Sequence, residues 1–223
     1  MTTHLNGTIA RAWITTFCDT FHESQQQLTH LDRLAGDGDF GTNIASALRR
    51  VGEALPSPAD ATFTTVFQAA SKGFLATGGT SGPLFGMWFR TIARAADDTA
   101  SVSELADGVR EGLATIQKLG GAKVGDNTMI DALAPASHAL TDAADDGEDV
   151  VTALTRAAEA ARAGAESTGA LVAARGRASY VGALALGVLD PGAVAIALFF
   201  EAGATAAGSP QIWPSLLTLP AHS

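Results

Sequence analysis

The sequence predicts an all-α fold, and three observations carry the prediction. Apolar residues recur at helical intervals along the whole chain, as in Ile9, Trp13, Phe17 and Phe21. Capping signals, among them Ser101-x-x-Glu104 and Asp190-Pro191, open the stretches that carry such stripes. Turn dipeptides between alternating apolar runs are missing, since the Asp37-Gly38 pair sits among acidic and glycine residues instead.

Taken in order, the first helix follows the Ile9 stripe to about Leu28, and a second is expected over residues 42–51. Phe63, Val66, Phe67, Ala70 and Phe74 mark a third. Phe85, Trp88, Phe89 and Ile92 mark a fourth, with Pro83 at a first-turn position. The Ser101 capping box opens a fifth, which turns Leu105, Val109, Leu113 and Ile116 inward and stops at Gly120-Gly121. A sixth is expected over 128–144, kinked at Pro135, and a seventh from Asp149 to roughly Ala174. The eighth begins at Asp190-Pro191 and ends near Ala207, before Gly208. Residues 193–200 alone would also suit a buried strand, but the caps and the continuation through Glu201 favour a helix.

No repeat or long linker divides the chain, so residues 1–208 are read as one helical domain and 209–223 as an irregular tail. Trp213, Leu216, Leu217 and Leu219 suit that tail for docking onto the body or a partner. With 47% hydrophobic and 17% charged residues, the 223-residue chain can bury a full core. Its net charge of −9, with no Lys/Arg cluster, argues against binding nucleic acid or an anionic membrane. Cys18 stands alone, which excludes an internal disulfide and zinc sites built from several thiolates. The N-terminus lacks a secretory pattern, and the most apolar run stops at Glu201, short of the roughly 20 residues a bilayer needs. A cytoplasmic location is expected. His22, His30 and His138 are not spaced as a shared metal site, and Trp13 and Trp88 read as packing residues.

Chemistry concentrates in four glycine-bearing loops, each beside an expected helix. Leu31-Asp-Arg-Leu-Ala-Gly-Asp-Gly-Asp-Phe-Gly-Thr-Asn43 places Asp32, Asp37 and Asp39 within a few residues, with Arg33 as the one base in the stretch. Carboxylates held this close repel one another, and a hard cation with oxygen ligands keeps them ionised; magnesium is the first candidate. The loop is not an EF-hand, because Gly41 and Leu48 stand where that motif needs oxygen ligands. Nor is it a Walker loop, since Thr42 follows Gly41 with no lysine. As a bare turn it would need only an Asx cap. Gly78-Gly-Thr-Ser-Gly-Pro83 suits a phosphate at a helix start, with Thr80 and Ser81 as hydroxyl donors, although it would also serve as a plain interhelical turn. The other two loops are Gly120-Gly-Ala-Lys-Val-Gly-Asp126 and Leu189-Asp-Pro-Gly192. Alternate connections of an up-and-down bundle lie at one end, so the four can share a mouth. Metal carboxylates beside a phosphate-cradling loop imply a magnesium nucleotide and phosphoryl transfer.

At these loops the chain resembles the nucleotide-binding L subunit, or L domain, of dihydroxyacetone kinases. The resemblance rests on Asp32…Asp37-Gly-Asp39-x-Gly41-Thr-Asn43, Gly79-Thr-Ser-Gly-Pro-Leu-Phe-Gly86, the block from Gly121 to Ala136, and Gly176-Arg-Ala-Ser-Tyr180 followed by Asp190-Pro-Gly-Ala193. It implies an antiparallel barrel of eight amphipathic helices with a nucleotide, ATP or ADP, at one rim. Asp32, Asp37 and Asp39 would hold two magnesium ions bridging the phosphates and so carry catalysis. Phe40, Gly41, Thr42 and Asn43 would line the nucleotide, and Thr80 and Ser81 would bind its phosphates. Gly120, Thr128, Met129, Asp190, Pro191 and Gly192 would close around base and ribose. The sugar would sit on a separate K-type subunit, for which this chain has no room. The donor would be ATP, or a bound ADP recharged by an M-type phosphocarrier; a homodimer is compatible with either. This chain departs from the family at Phe40, where a His is usual, at Asn127, where a base is usual, and at Ala183-Leu-Ala…Val188, where Glu-Arg-Ser…His is usual. Loss of the arginine at Leu184 removes a charge-assisted contact typically worth about 1.5–3 kcal/mol. That depleted segment keeps a second reading open, a nucleotide-binding regulatory module with weak or no kinase activity. Arg177 suits a phosphate or partner contact and, nearly as well, a helix end.

Overall fold

The computed structural model describes residues 3–172 and 186–217, which form eight α-helices, one short 3₁₀ turn and two two-residue strands. Helix α1 spans Gly7–Ala35, capped by the Asn6 side chain, which accepts from the Ile9 amide at 3.0 Å. It overruns the expected end at Leu28 by about two turns, so Asp32 stands on a helix and not in a loop. The added turns continue the apolar face through Leu31, which packs on the core, to the half-buried rim of the barrel. α2 spans Phe40–Ala54 and α3 Phe63–Leu75, the latter opened by reciprocal Thr62 and Thr65 hydrogen bonds. α4 covers Ser81–Arg94 and begins two residues before Pro83, which therefore lies in the first turn, where its missing N–H costs nothing. α5 (Val102–Gly120) carries the expected Ser101 and Glu104 capping box and ends on Gly121 in the left-handed conformation, φ 66°.

α6 runs over Ile130–Asp145 through Pro135, and α7 over Val150–Ser167 behind the Asp149 cap. α7 stops well short of Ala174. A 3₁₀ turn, Thr168–Ala170, follows it, because Thr168 Oγ1 accepts from the Asp190 amide and the Gly169 carbonyl accepts from Gly187, and these bonds compete with further helix. α8 spans Pro191–Ala207 between the Asp190 cap and left-handed Gly208, as the sequence implies. The strands His4–Leu5 and Ala100–Ser101 pair antiparallel and pin the start of the chain to the start of α5 without forming a hairpin.

Each helix packs on the next, and α8 packs on both α7 and α1, which closes the ring into an eight-helix barrel. Seven helices bury one face. α8 is buried on every side from Pro191 to Ala204, so it is the apolar pillar of the barrel. Phe199 meets the rings of Trp13 and Phe17 on α1 and of Trp88 and Phe89 on α4, linking opposite walls. Gly203 lies against the Trp13 indole so closely that a Cβ would stand 2.5 Å from it. Residues 209–217 form no helix or strand, and Leu217 is buried while Trp213 and Leu216 pack against the core. Leu219 lies outside the described residues. Among those described, no helix is long and apolar enough to cross a membrane.

α8 carries one acid, Glu201, 8% exposed, which accepts from Arg162 of α7 at 3.0 Å. Burial pushes the Glu201 carboxyl up to about 7, although Arg162 pulls it down. The folded state therefore holds this proton more tightly than the unfolded chain does. Its stabilising contribution is complete below the ordinary glutamate range and is lost as pH rises through about 7. Denaturation midpoints measured from pH 5 to 8 are expected to decline, and Glu201→Gln to flatten much of that decline. An unchanged slope in Glu201→Gln would remove Glu201 as its source.

Candidate functional site

The α1–α2, α3–α4 and α5–α6 connections and the segment before α8 meet at one end of the barrel around a single cleft. Its two ends differ in chemistry.

At one end stand the three aspartates. Their carboxylate oxygens lie within 4.8 Å of one another, with Asp37 exposed and Asp32 and Asp39 half-buried. Asp32, on the last turn of α1, also accepts the Phe40 amide at 2.9 Å and so fastens the start of α2 to the end of α1. Two oxygens on one magnesium ion stand at most about 4.2 Å apart at Mg–O distances near 2.1 Å, so this cluster closes on a hard cation with small movements. Among the described residues it is the one such group of three or more His, Cys, Asp or Glu side chains.

Asn43, one turn into α2, faces the α3–α4 loop, where a Cβ on Gly79 would stand 3.1 Å from its side-chain nitrogen. Thr80 and Ser81 line the cleft at the start of α4, whose first amides donate no hydrogen bond to the Thr80 side chain. A helix start in this state offers N–H groups and a positive dipole end to an anion. The aspartates and this helix start together provide for a cation and for the polyanion that accompanies it.

The other end is apolar, built from Leu84, Phe85, Ile116, Ala122 and Ile130, with Gly120 and Met129 beside them. The α5–α6 loop that covers it is held by Asp131, 4% exposed, which accepts the Gly125 amide at 2.6 Å and the Thr128 amide at 2.8 Å. Asn127 sits in the left-handed region at φ 59° and donates from Nδ2 to the Leu171 carbonyl, tying the same loop to the end of α7. Its Oδ1 is buried with no hydrogen-bond partner among the described residues. Asp190 caps α8 through the Ala193 amide at 2.7 Å, and Pro191 and Gly192 complete the wall beside Met129. Burial pushes the Asp190 carboxyl up to about 7, and the nearby carboxylates of Asp131 and Asp32 push in the same direction.

Of the fifteen residues singled out from the sequence, thirteen line this cleft, and Gly41 and Thr42 do not. Gly41 faces α1, where a Cβ would fall 2.1 Å from Thr29 Oγ1; it is a glycine so that α1 and α2 can cross closely. Thr42 is exposed on the opposite side of α2. The reading missed the apolar wall, because Leu84, Ile116 and Ile130 sit in stripes that look like ordinary core. It also gave Asp131 no role, although Thr128-x-x-Asp131 has the spacing of a capping pair. The Gly176–Tyr180 block, Arg177 and Leu184 lie outside the described residues.

Asp131→Ala frees two loop amides. It is expected to weaken ligand binding in the cleft by about ten-fold while the helix content is kept, on the scale of two lost hydrogen bonds to a charged acceptor. Calorimetric titration of the variant checks this, and unchanged affinity would show that the loop holds its place without Asp131.

A model of the DAK2 domain matches residues 34–205. The "PEP-dependent dihydroxyacetone kinase, ADP-binding subunit DhaL" of Escherichia coli K12 is 35% identical over 198 residues, covering 87% of this chain and 94% of that protein. The ADP-binding subunit DhaL of the PEP-dependent dihydroxyacetone kinase 1 of Listeria innocua is 36% identical, covering 86% of this chain and 93% of that protein. The L-erythrulose 1-kinase of Mycolicibacterium smegmatis is 35% identical across 86% of this chain, which spans 34% of that longer protein. The crystal structure of the C. freundii dihydroxyacetone kinase in complex with AMP-PNP and Mg2+ superposes with a TM-score of 0.63 at 31% identity, covering 88% of this chain and 33% of that one.

Proposed function

The chain belongs to the DAK2-domain family, and from that premise we propose that it is the nucleotide-binding, phosphoryl-transferring subunit of a dihydroxyacetone (glycerone) kinase or a related short keto-sugar kinase. The observation that carries the proposal is the meeting of three carboxylates within 4.8 Å with the open start of α4 in one cleft. Asp32, Asp37 and Asp39 would hold two magnesium ions, which supply charge neutralisation for a nucleotide polyphosphate. Thr80, Ser81 and the first amides of α4 bind and orient the phosphates. Asn43 steadies the loop that carries them. Leu84, Ile116 and Ile130 give the base an apolar bed, and the Asp131-held loop with Met129 and Gly192 shuts water from the ribose side.

The acceptor sugar would be presented by a separate K-type subunit; among the described residues no His, Lys or Cys lines the cleft. Leu34, Leu119, Val124 and Leu186 are exposed and each lies within four residues of the cleft lining, which gives the mouth an apolar border suited to such a partner. Two donors are consistent with the relatives: ATP itself, or a resident ADP recharged by an M-type phosphocarrier, as the PEP-dependent names of the two bacterial subunits favour.

Calorimetric titration with ATP and ADP tests the reading. Binding is expected only when magnesium is present, and its absence under both conditions would refute a nucleotide site. Reconstitution with the K-type partner then separates catalysis from regulation: sustained turnover supports the kinase subunit, whereas nucleotide binding without turnover returns the chain to a regulatory role.

A further inference from the structure

α3 and α4 lie antiparallel on the outer wall. The Ser71 hydroxyl donates to the Gly86 carbonyl, and the first amides of α3 donate to the carbonyls of Asp97 and Asp98, just past the end of α4. Between the two helices runs a groove lined by Gln68, Lys72 and Leu75 from α3 and by Arg90 and Arg94 from α4. None of these residues lines the cleft.

Lys72, Arg90 and Arg94 are exposed, and none takes part in an ion pair within the described residues, whose salt bridges all lie elsewhere. No carboxylate lines the groove. The chain has 23 acids against 14 bases, so three neighbouring cations without an acid partner run against its composition. Lys72 and Arg94 lie in the last turns of their helices, where a cation meets the negative end of the helix dipole. That accounts for neither Arg90, in mid-helix, nor the convergence of all three on one groove.

The spacing restricts what could fill it. The Ser71 contact sets Lys72 beside Gly86, and Arg94 is eight residues farther along α4, a distance of about 12 Å at 1.5 Å per residue. Carboxylates two helical turns apart, about 11 Å along a helix axis, match that spacing. Leu75, 42% exposed at one end, supplies an apolar anchor.

We propose that the α3–α4 groove is a docking site for an acidic amphipathic helical segment of a partner protein. The partner approaches the side wall, so it can be held while the mouth of the barrel is engaged elsewhere. Positive charge in the groove speeds encounter, and Leu75 fixes the register of the docked helix.

The probe is a fluorescent synthetic helix with glutamates and leucines in heptad repeat, titrated into the intact chain at low and high salt. Saturable binding is expected at low salt and its loss at high salt. Arg90→Glu combined with Arg94→Glu should weaken it at least ten-fold, and Leu75→Ala should weaken it several-fold, while magnesium-dependent nucleotide binding and the circular dichroism spectrum stay as in the parent chain. Lys118→Glu, an exposed cation on α5 outside the groove, should have no effect. Failure to bind would overturn the proposal, as would equal weakening by Lys118→Glu, which marks diffuse attraction. Displacement of the peptide by inorganic phosphate at matched ionic strength would replace it with a small-anion site.

Discussion

Asp37→Ala and Asp39→Ala are each expected to lower phosphoryl transfer by roughly 10³-fold, the upper end of what removing one preorganised electrostatic stabiliser costs. The helical circular dichroism spectrum should be unchanged. The separation of the two effects follows from where the side chains sit. Asp37 is exposed, and Asp39 precedes α2 without a side-chain capping bond. Asp32 behaves differently because it accepts the Phe40 amide; Asp32→Ala should lose the same activity and in addition about 1 kcal/mol of stability. Turnover near the parent rate in Asp37→Ala or Asp39→Ala, assayed with the K-type partner present, would remove the carboxylate cluster from the mechanism.

Trp13→Ala is expected to be the most damaging single change to the fold, at about 3–5 kcal/mol. The indole is fully buried, packs against Phe67, Phe199 and Phe200, and donates from Nε1 to the Phe199 carbonyl at 2.7 Å. Truncation opens a cavity at the seam where α8 meets α1, and Gly203, which has no side chain, cannot fill it. For a chain of this size the loss amounts to a drop of roughly 10 °C in melting temperature. Trp13→Phe retains part of the ring packing and should cost less. A thermal scan showing less than about 1 kcal/mol of loss for Trp13→Ala would mean that the seam repacks around the gap.

The contrast between these two sites explains what the sequence could reveal. Features written in neighbouring residues were legible: the Ser101 and Glu104 capping box, the Asp190-Pro191 opening of α8 and its stop at Gly208 all stand where they were read. So was the aspartate cluster, because short separation along the chain forces proximity whatever the fold. Features that depend on distant segments were not. The end of α7 is set by hydrogen bonds from Gly187 and Asp190, and Gly41 is dictated by Thr29 across a helix crossing. Leu84, Ile116 and Ile130 look like core in one dimension and become a ligand wall only because the barrel stops at the rim. Asp131 belongs between these cases: its spacing from Thr128 was visible, but its second bond, to Gly125, bends back across a loop.

The closure of α8 onto α1 also has a consequence during synthesis. The Trp13 hydrogen bond to Phe199 joins residues 186 positions apart, so the first helix cannot complete its packing until the last has left the ribosome. At about 5–20 residues per second, the nascent α1 waits roughly 10–40 s with Trp13 and Phe17 lacking the α8 rings they are shaped to meet. Contacts of this length also slow the final step of folding itself. The price of a barrel sealed by its two ends is thus a long exposed interval, in which chaperone capture or self-association competes with completion of the ring.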